Sequence, residues 1–176
     1  MEEIEIKNNI KNKISNMIKE FAPFIAIIVI VLLIKQFIVT PVQVNGASMD
    51  PTLANGDIMI LNKISYKIHG INRFDIVVIR ANDTLLIKRI IGLPNETVKV
   101  EDNKLYINGE EIEQDFLSED ELTNNFETTV KDDCYFVLGD NRNLSLDSRS
   151  LGCFKYEDIL GTTSLTIFPF NRIGNK

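Results

Sequence analysis

Three stretches of the chain carry side chains whose types and spacing suit chemistry. In Gly46-Ala47-Ser48-Met49-Asp50-Pro51-Thr52-Leu53, Ser48 stands after an extended Val-Gln-Val run and ahead of a turn at Asn55-Gly56-Asp57. A hydroxyl on such a turn, stiffened by Pro51, suits a nucleophile, although most serines at strand ends only cap or hydrogen-bond the turn. The second stretch is Leu85-Leu86-Ile87-Lys88-Arg89-Ile90-Ile91, where a strand period of two puts Leu86, Lys88 and Ile90 on one face. Apolar neighbours desolvate the Lys88 amine and lower its pKa, as a neutral general base requires near pH 7. The competing reading is a snorkelling lysine that, with Arg89, guards an exposed sheet edge. The third stretch, GDNRNLSLDSR over residues 139–149, crowds carboxylates, hydroxyls and guanidiniums behind an apolar run at 134–138. It is either a solvated loop or a set of Asp/Arg pairs that fixes a neighbouring site.

Scarcity narrows the chemistry further. The chain has a single histidine, His69, and two cysteines, Cys134 and Cys153. Two imidazoles or four thiolates are therefore out of reach, so zinc chemistry is not expected, and a reaction run by a serine and a lysine requires no metal or cofactor. A Ser-His-Asp triad would need His69, which sits in a polar stretch without the apolar framing of Lys88. The net charge is −6, so no nucleic-acid partner driven by phosphate neutralisation is expected.

The elements that position these residues follow from hydrophobic patterning. At 176 residues the chain holds one folded domain plus an appendage. Residues 21–39, FAPFIAIIVIVLLIKQFIV, are long enough as a helix to span the ~30 Å hydrocarbon core, with Lys35 near one end able to snorkel. A cleaved signal peptide is the alternative, but no small-x-small cleavage site follows directly. Lys7, Lys11, Lys13 and Lys19 precede the span and no Lys or Arg occurs from 37 to 61, which predicts residues 1–20 in the cytoplasm and residues 40–176 outside. Beyond residue 40 the period changes to short Val/Ile/Phe-rich runs broken by Gly, Asn, Asp and Pro, including Asn108-Gly109. A mostly β, antiparallel, barrel-like sheet domain is predicted. Residues 114–133, with Asp115, Glu119, Asp120, Glu121, Glu127, Asp132 and Asp133 against Lys131 alone, read as a solvated acidic insertion.

Taken in order, the apolar span, GASMDPTL, NGDIMILNK, KRIIGLPNETV and GDNRNLSLDSR closely resemble type I signal peptidases of family S26, in their small Gram-positive form. The likeness covers nearly all of residues 40–170 except the acidic stretch. It implies a Ser-Lys dyad with Ser48 as nucleophile and Lys88 as general base, and Ser145 orienting the amine by a hydrogen bond. It also implies an Asp147–Arg149 salt bridge and an Asp140–Arg89 pair as support. The sequence departs from some family members at Gly46, two residues before the nucleophile, where a serine hydroxyl would serve the oxyanion.

The same likeness implies an extended preprotein as partner, paired to strand edges at 43–45 and 83–87 beside the bilayer. Val42, Val44, Met49, Leu53, Leu86 and Ile87 would line shallow pockets for the small residues of a cleavable signal peptide. Cys134 and Cys153 flank the 139–149 loop outside the membrane, so both a disulfide and a pair of buried thiols stay open. Two other readings remain: a Ser-Lys self-cleaving regulator, which would carry a DNA-binding helix-turn-helix in place of the span, and a catalytically idle membrane-anchored β module, which would lack Ser48 or Lys88.

Overall fold

The computed structural model describes residues 2–118 and 120–175, and divides into two compact units that meet in sequence between Ile38 and Val39. The first unit is a single helix, α1 (Glu2–Phe37), which runs on through residue 20, where the cytoplasmic segment was expected to meet the span. Within it Met17–Phe37, 21 residues of mean hydropathy 2.5, is long and apolar enough to cross a membrane. This apolar helical stretch begins four residues before, and ends two residues before, the 21–39 bounds expected for the span. Val39, read as its last residue, is already the first of a strand.

The second unit is β-rich. Its elements are β1 (Val39–Gln43), β2 (Ile58–Asn62), α2 (Ser65–His69), β3 (Ile76–Ala81), β4 (Thr84–Gly92), β5 (Thr97–Glu101), β6 (Lys104–Ile107), β7 (Glu110–Ile112), β8 (Phe126–Thr129), β9 (Cys134–Leu138), α3 (Ser148–Leu151), β10 (Phe154–Lys155), β11 (Ile159–Phe168) and β12 (Gly174–Asn175). One sheet runs β1-β2-β11-β3-β4-β9-β10 with β12 added to β11, and a second runs β7-β6-β5-β8. Every pairing is antiparallel, as the short connections require. Asn108 and Gly109 both have positive φ, the conformation of the two-residue hairpin turn joining β6 to β7.

Alternation along these strands fills three apolar clusters. Val44, Met49, Leu53, Met59 and Ile76 pack beneath the Ser48 turn. Val77, Ile79, Ile90, Val137 and Ile159 form the centre of the large sheet, with Leu86 packed against them. Ile91, Val98, Val100, Leu105, Phe136 and Leu138 join the large sheet to the small one. Cys134 and Cys153 are joined by a disulfide with Cα atoms 5.5 Å apart, which resolves the two alternatives and ties together the chain on either side of the 139–149 loop.

The acidic stretch is not the solvated insertion its composition suggested. Phe126–Thr129 is strand β8 of the small sheet, pairing with β5, and Thr123 is buried. Alternation with only two apolar side chains, Phe126 and Val130, sufficed for edge pairing, a signal too sparse to separate from charge. Glu119 lies outside the described residues.

Candidate active site

Ser48 lies in the turn after β1, and the turn is closed at its neck by backbone hydrogen bonds. Val44 N–H donates to the Asp57 carbonyl at 2.8 Å, and Gly56 N–H to the Val44 carbonyl at 2.9 Å. Gly46 has φ of +95°, and its N–H donates to Asn55 Oδ1 at 2.9 Å. Met49 and Leu53, 1% and 0% exposed, plug the turn into the core and leave Ser48 between them and the surface. Arg172, near the C-terminus, braces the return arm by donating from Nε to the buried Asp57 carboxylate at 3.1 Å and from Nη2 to the Thr52 carbonyl at 3.2 Å.

Lys88 is 2% exposed, in the middle of β4 and opposite Val77 of β3. Its Nζ donates to Ser48 Oγ at 2.7 Å and to the Ile87 carbonyl at 2.9 Å. Burial lowers the amine's pKa to about 8, against a smaller upward pull from the Asp147 and Asp140 carboxylates. The two residues are 40 positions apart in sequence, so the contact is made by the sheet.

The 139–149 loop is tied down through its buried residues Asp140, Arg142 and Asp147, while Asn143, Leu144 and Leu146 are exposed. Asp147 caps α3, and all four hydrogen bonds to its carboxylate are donated to it: Arg149 N–H (3.2 Å) and Nε (2.9 Å) to Oδ1, Arg149 Nη2 (2.8 Å) and Gly139 N–H (3.1 Å) to Oδ2. Burial pushes this carboxyl up, but the Arg149 hydrogen bonds and charge, the Gly139 N–H and the nearby Ser145 hydroxyl outweigh it and hold it below the usual range. Asp140 takes a bidentate pair from Arg89, Nε at 2.8 Å and Nη2 at 2.6 Å, with both residues buried. Asn141 N–H donates to the Ser48 carbonyl at 3.1 Å, which ties loop to turn directly. Gly139 has no room for a side chain, because a Cβ there would collide with Ser145 and the Ser48 carbonyl.

Other expected site residues fall less evenly. Ser145 Oγ is buried without a hydrogen-bond partner by distance and angle, and it faces Asp147 closely enough to help lower that carboxyl. It makes no bond to the Lys88 amine, whose second donation goes to the Ile87 carbonyl. Val42, Val44, Met49, Leu86 and Ile87 line a cavity of about 290 Å³ together with Ser48 and Lys88. Leu53 does not line it, being fully buried. His69 is exposed at the end of α2 and lines a different cavity, with Ser65, Asp75 and Thr163. Sequence reasoning missed Arg142, which is 3% exposed and donates from Nε to the Gly139 carbonyl at 3.0 Å. The available signal was that, with Asp140 assigned to Arg89 and Asp147 to Arg149, the loop's other guanidinium is left without a counter-charge.

The residues 17–168 match the family model described as signal peptidase, peptidase S26. The chain belongs to the signal peptidase family. It is 41% identical to signal peptidase I S of Bacillus subtilis over 89% of this chain and 92% of that one. It is 37% identical to the signal peptidase I of Bacillus licheniformis over 96% of each chain. A crystal structure of a signal peptidase I from Enterococcus faecalis is 38% identical, covering 52% of this chain and 95% of that one, with a TM-score of 0.49. A peptidase activity follows from the membership, and the signal peptidase site is sought in the groove that holds Ser48.

Proposed function

We propose that this signal peptidase is a membrane-anchored serine endopeptidase that removes signal peptides from exported preproteins with a Ser48–Lys88 dyad. The observation that carries the proposal is the 2.7 Å contact from a buried Lys88 amine, its pKa lowered to about 8, to the Ser48 hydroxyl. Neutral Lys88 takes the Ser48 proton as the oxygen attacks the scissile carbonyl, and the same ammonium then protonates the leaving amine. Water activated by the regenerated amine releases the acyl group from Ser48. The Ser48 backbone N–H serves the oxyanion. Asp147, Arg149, Asp140 and Arg89 hold the loop against the turn, and Ser145, which does not bond the amine in this structure, would have to turn its hydroxyl toward Nζ to orient it during turnover.

The substrate enters as an added strand. β1 is the terminal strand of the large sheet, and β4 pairs with β9 only from Arg89 onward, so, among the described residues, 84–88 offer a strand edge to the groove. A peptide laid between them places small side chains, those at the first and third positions before the cut, against Val42, Val44, Leu86 and Ile87. The Met17–Phe37 span anchors the chain with its N-terminus in the cytoplasm, and the lysines before it set that orientation. The test is processing of a membrane-inserted preprotein by wild type, Ser48→Ala and Lys88→Ala, with His69→Ala as control. Losses on the order of 10³-fold in the first two and near-normal rate in the third are expected. Processing by Ser48→Ala at the wild-type rate would end the proposal.

A further inference from the structure

Between β7 and β8, in the stretch whose acidic composition suggested a solvated insertion, three side chains reach into the catalytic loop and the Lys88 strand. Arg142 is the centre of the first contact. Among the described residues no ion pair includes it, because Asp140 is taken by Arg89 and Asp147 by Arg149. Its remaining donors therefore depend on two neutral acceptors: Thr123 Oγ1 at 3.0 Å from Nη1, and Gln114 Oε1 at 2.6 Å from Nη2. Burial lowers this guanidinium to about 10, with Asp140, Asp147 and Glu121 pulling it up and Arg149 pushing it down.

Arg142 passes this support to the site. Its Nε holds the carbonyl of Gly139, the residue whose N–H fixes Asp147 and whose Cα lies against Ser145 and the Ser48 carbonyl. Its own carbonyl accepts from Arg149 Nη2 at 2.7 Å. The second contact is Phe116, whose ring lies 4.0 Å from the Arg89 guanidinium carbon and packs edge-on against Phe74 at 5.1 Å. Phe74 in turn accepts from Arg89 Nη1, so the ring closes over the guanidinium that holds Asp140, one residue from Lys88.

We propose that Gln114, Thr123 and Phe116 are positioning residues of the peptidase, holding the 139–149 loop against Ser48 through Arg142 and Arg89; this rests on the Ser48–Lys88 reading above. Two polar acceptors and one ring, spaced through an otherwise acidic stretch, complete a buried cation network that the catalytic motifs leave unfinished. Small displacements of such a loop act on the rate of the chemical step far more than on substrate affinity.

The experiment compares full-length variants in detergent on a preprotein, with active concentration set by the fraction that acylates. Gln114→Leu, Thr123→Val and Phe116→Leu are each expected to lower kcat about three- to tenfold with KM within twofold of wild type. Gln114→Glu, Thr123→Ser and Phe116→Tyr, which keep the acceptor or the ring, are expected to recover most of that loss. Wild-type kcat in the Gln114→Leu/Thr123→Val double variant would overturn the proposal, as would equal losses in the disruptive and conservative members of each pair. If the double variant fails to fold, the single-variant ratios decide on the same terms. Ser48→Ala is run alongside: an inactive Ser48→Ala beside an unaffected Gln114→Leu rejects the positioning role alone, whereas an active Ser48→Ala rejects the dyad.

Discussion

Replacing Asp147 by asparagine changes one oxygen for an NH2 group and tests the electrostatic design of the site in two ways at once. Every hydrogen bond to this carboxylate is donated to it, so either orientation of the amide points a donor at other donors: at Arg149 Nη2 and Gly139 N–H, or at Arg149 N–H and Nε. Arg149, one-fifth exposed, also loses its counter-charge. Breaking a buried pair by removing one partner costs roughly 3–5 kcal/mol, and the partial exposure of Arg149 puts the loss at the lower end, about 3 kcal/mol. At about 2–4 °C per kcal/mol, Tm is expected to fall roughly 6–12 °C at pH 7.

The pH dependence of that loss has a definite sign. The folded-state pKa of Asp147 is depressed, so its stabilisation is present above the ordinary value of 3.8 and disappears as pH falls through the lower folded value. The Tm gap between wild type and Asp147→Asn is therefore expected to be full at neutral pH and to narrow in acid. The same carboxylate raises the Lys88 pKa, so its removal is expected to move the acid limb of the rate profile to lower pH while kcat falls. Thermal denaturation in detergent at several pH values, with kcat/KM measured beside it, checks both. Unchanged Tm and an unmoved limb would refute the reasoning.

Four further outcomes are expected. Ser145→Ala removes a buried hydroxyl that has no hydrogen-bond partner, so Tm should stay level or rise while kcat falls about tenfold; loss of both together would mean the hydroxyl is structural. Gly139→Ala should cost activity and stability together, since the new Cβ meets Ser145 and the Ser48 carbonyl; a variant of wild-type rate would show that the loop can withdraw freely. Replacing both cysteines by serine removes a link across 19 positions and should lower stability by about 3 kcal/mol in the loop-closure picture, read as a drop in Tm under non-reducing conditions. Removing residues before 39 should leave peptide cleavage nearly intact and slow processing of membrane-inserted preprotein ~10²-fold; equal rates on the latter would reject a functional anchor.

The parts of the site carried by local pattern were legible in the sequence. Lys88 could be read as buried because Leu86 and Ile90 share its face in a period-two strand, whereas the Asp140–Arg89 and Asp147–Arg149 pairs came from the family resemblance, since 51 residues separate Asp140 from Arg89. What failed depended on depth and reach. Leu53 and Val42 look alike as apolar residues near Ser48, yet one plugs the turn and the other faces the groove, a difference set by the turn's closure at Val44 and Asp57. Ser145 stands where the likeness expects a partner for the amine, but the Lys88 side chain satisfies a donor on its own backbone neighbour instead. The residues 114–133 misled because net charge masked Gln114, Phe116, Thr123 and β8, whose partners lie in distant parts of the chain.

The account stands on Lys88 acting as a neutral base toward Ser48. An amine of pKa about 8 is half neutral at pH 8, whereas a solvated lysine near its ordinary value of 10.5 is only about 0.3% neutral there. The most direct measurement is kcat/KM for preprotein cleavage by the full-length protein from pH 6 to 10. A single rising limb with its midpoint near 8 is predicted. A midpoint near 10.5, or one near 6.5 that disappears in His69→Ala, would contradict the claim that Lys88 is the base.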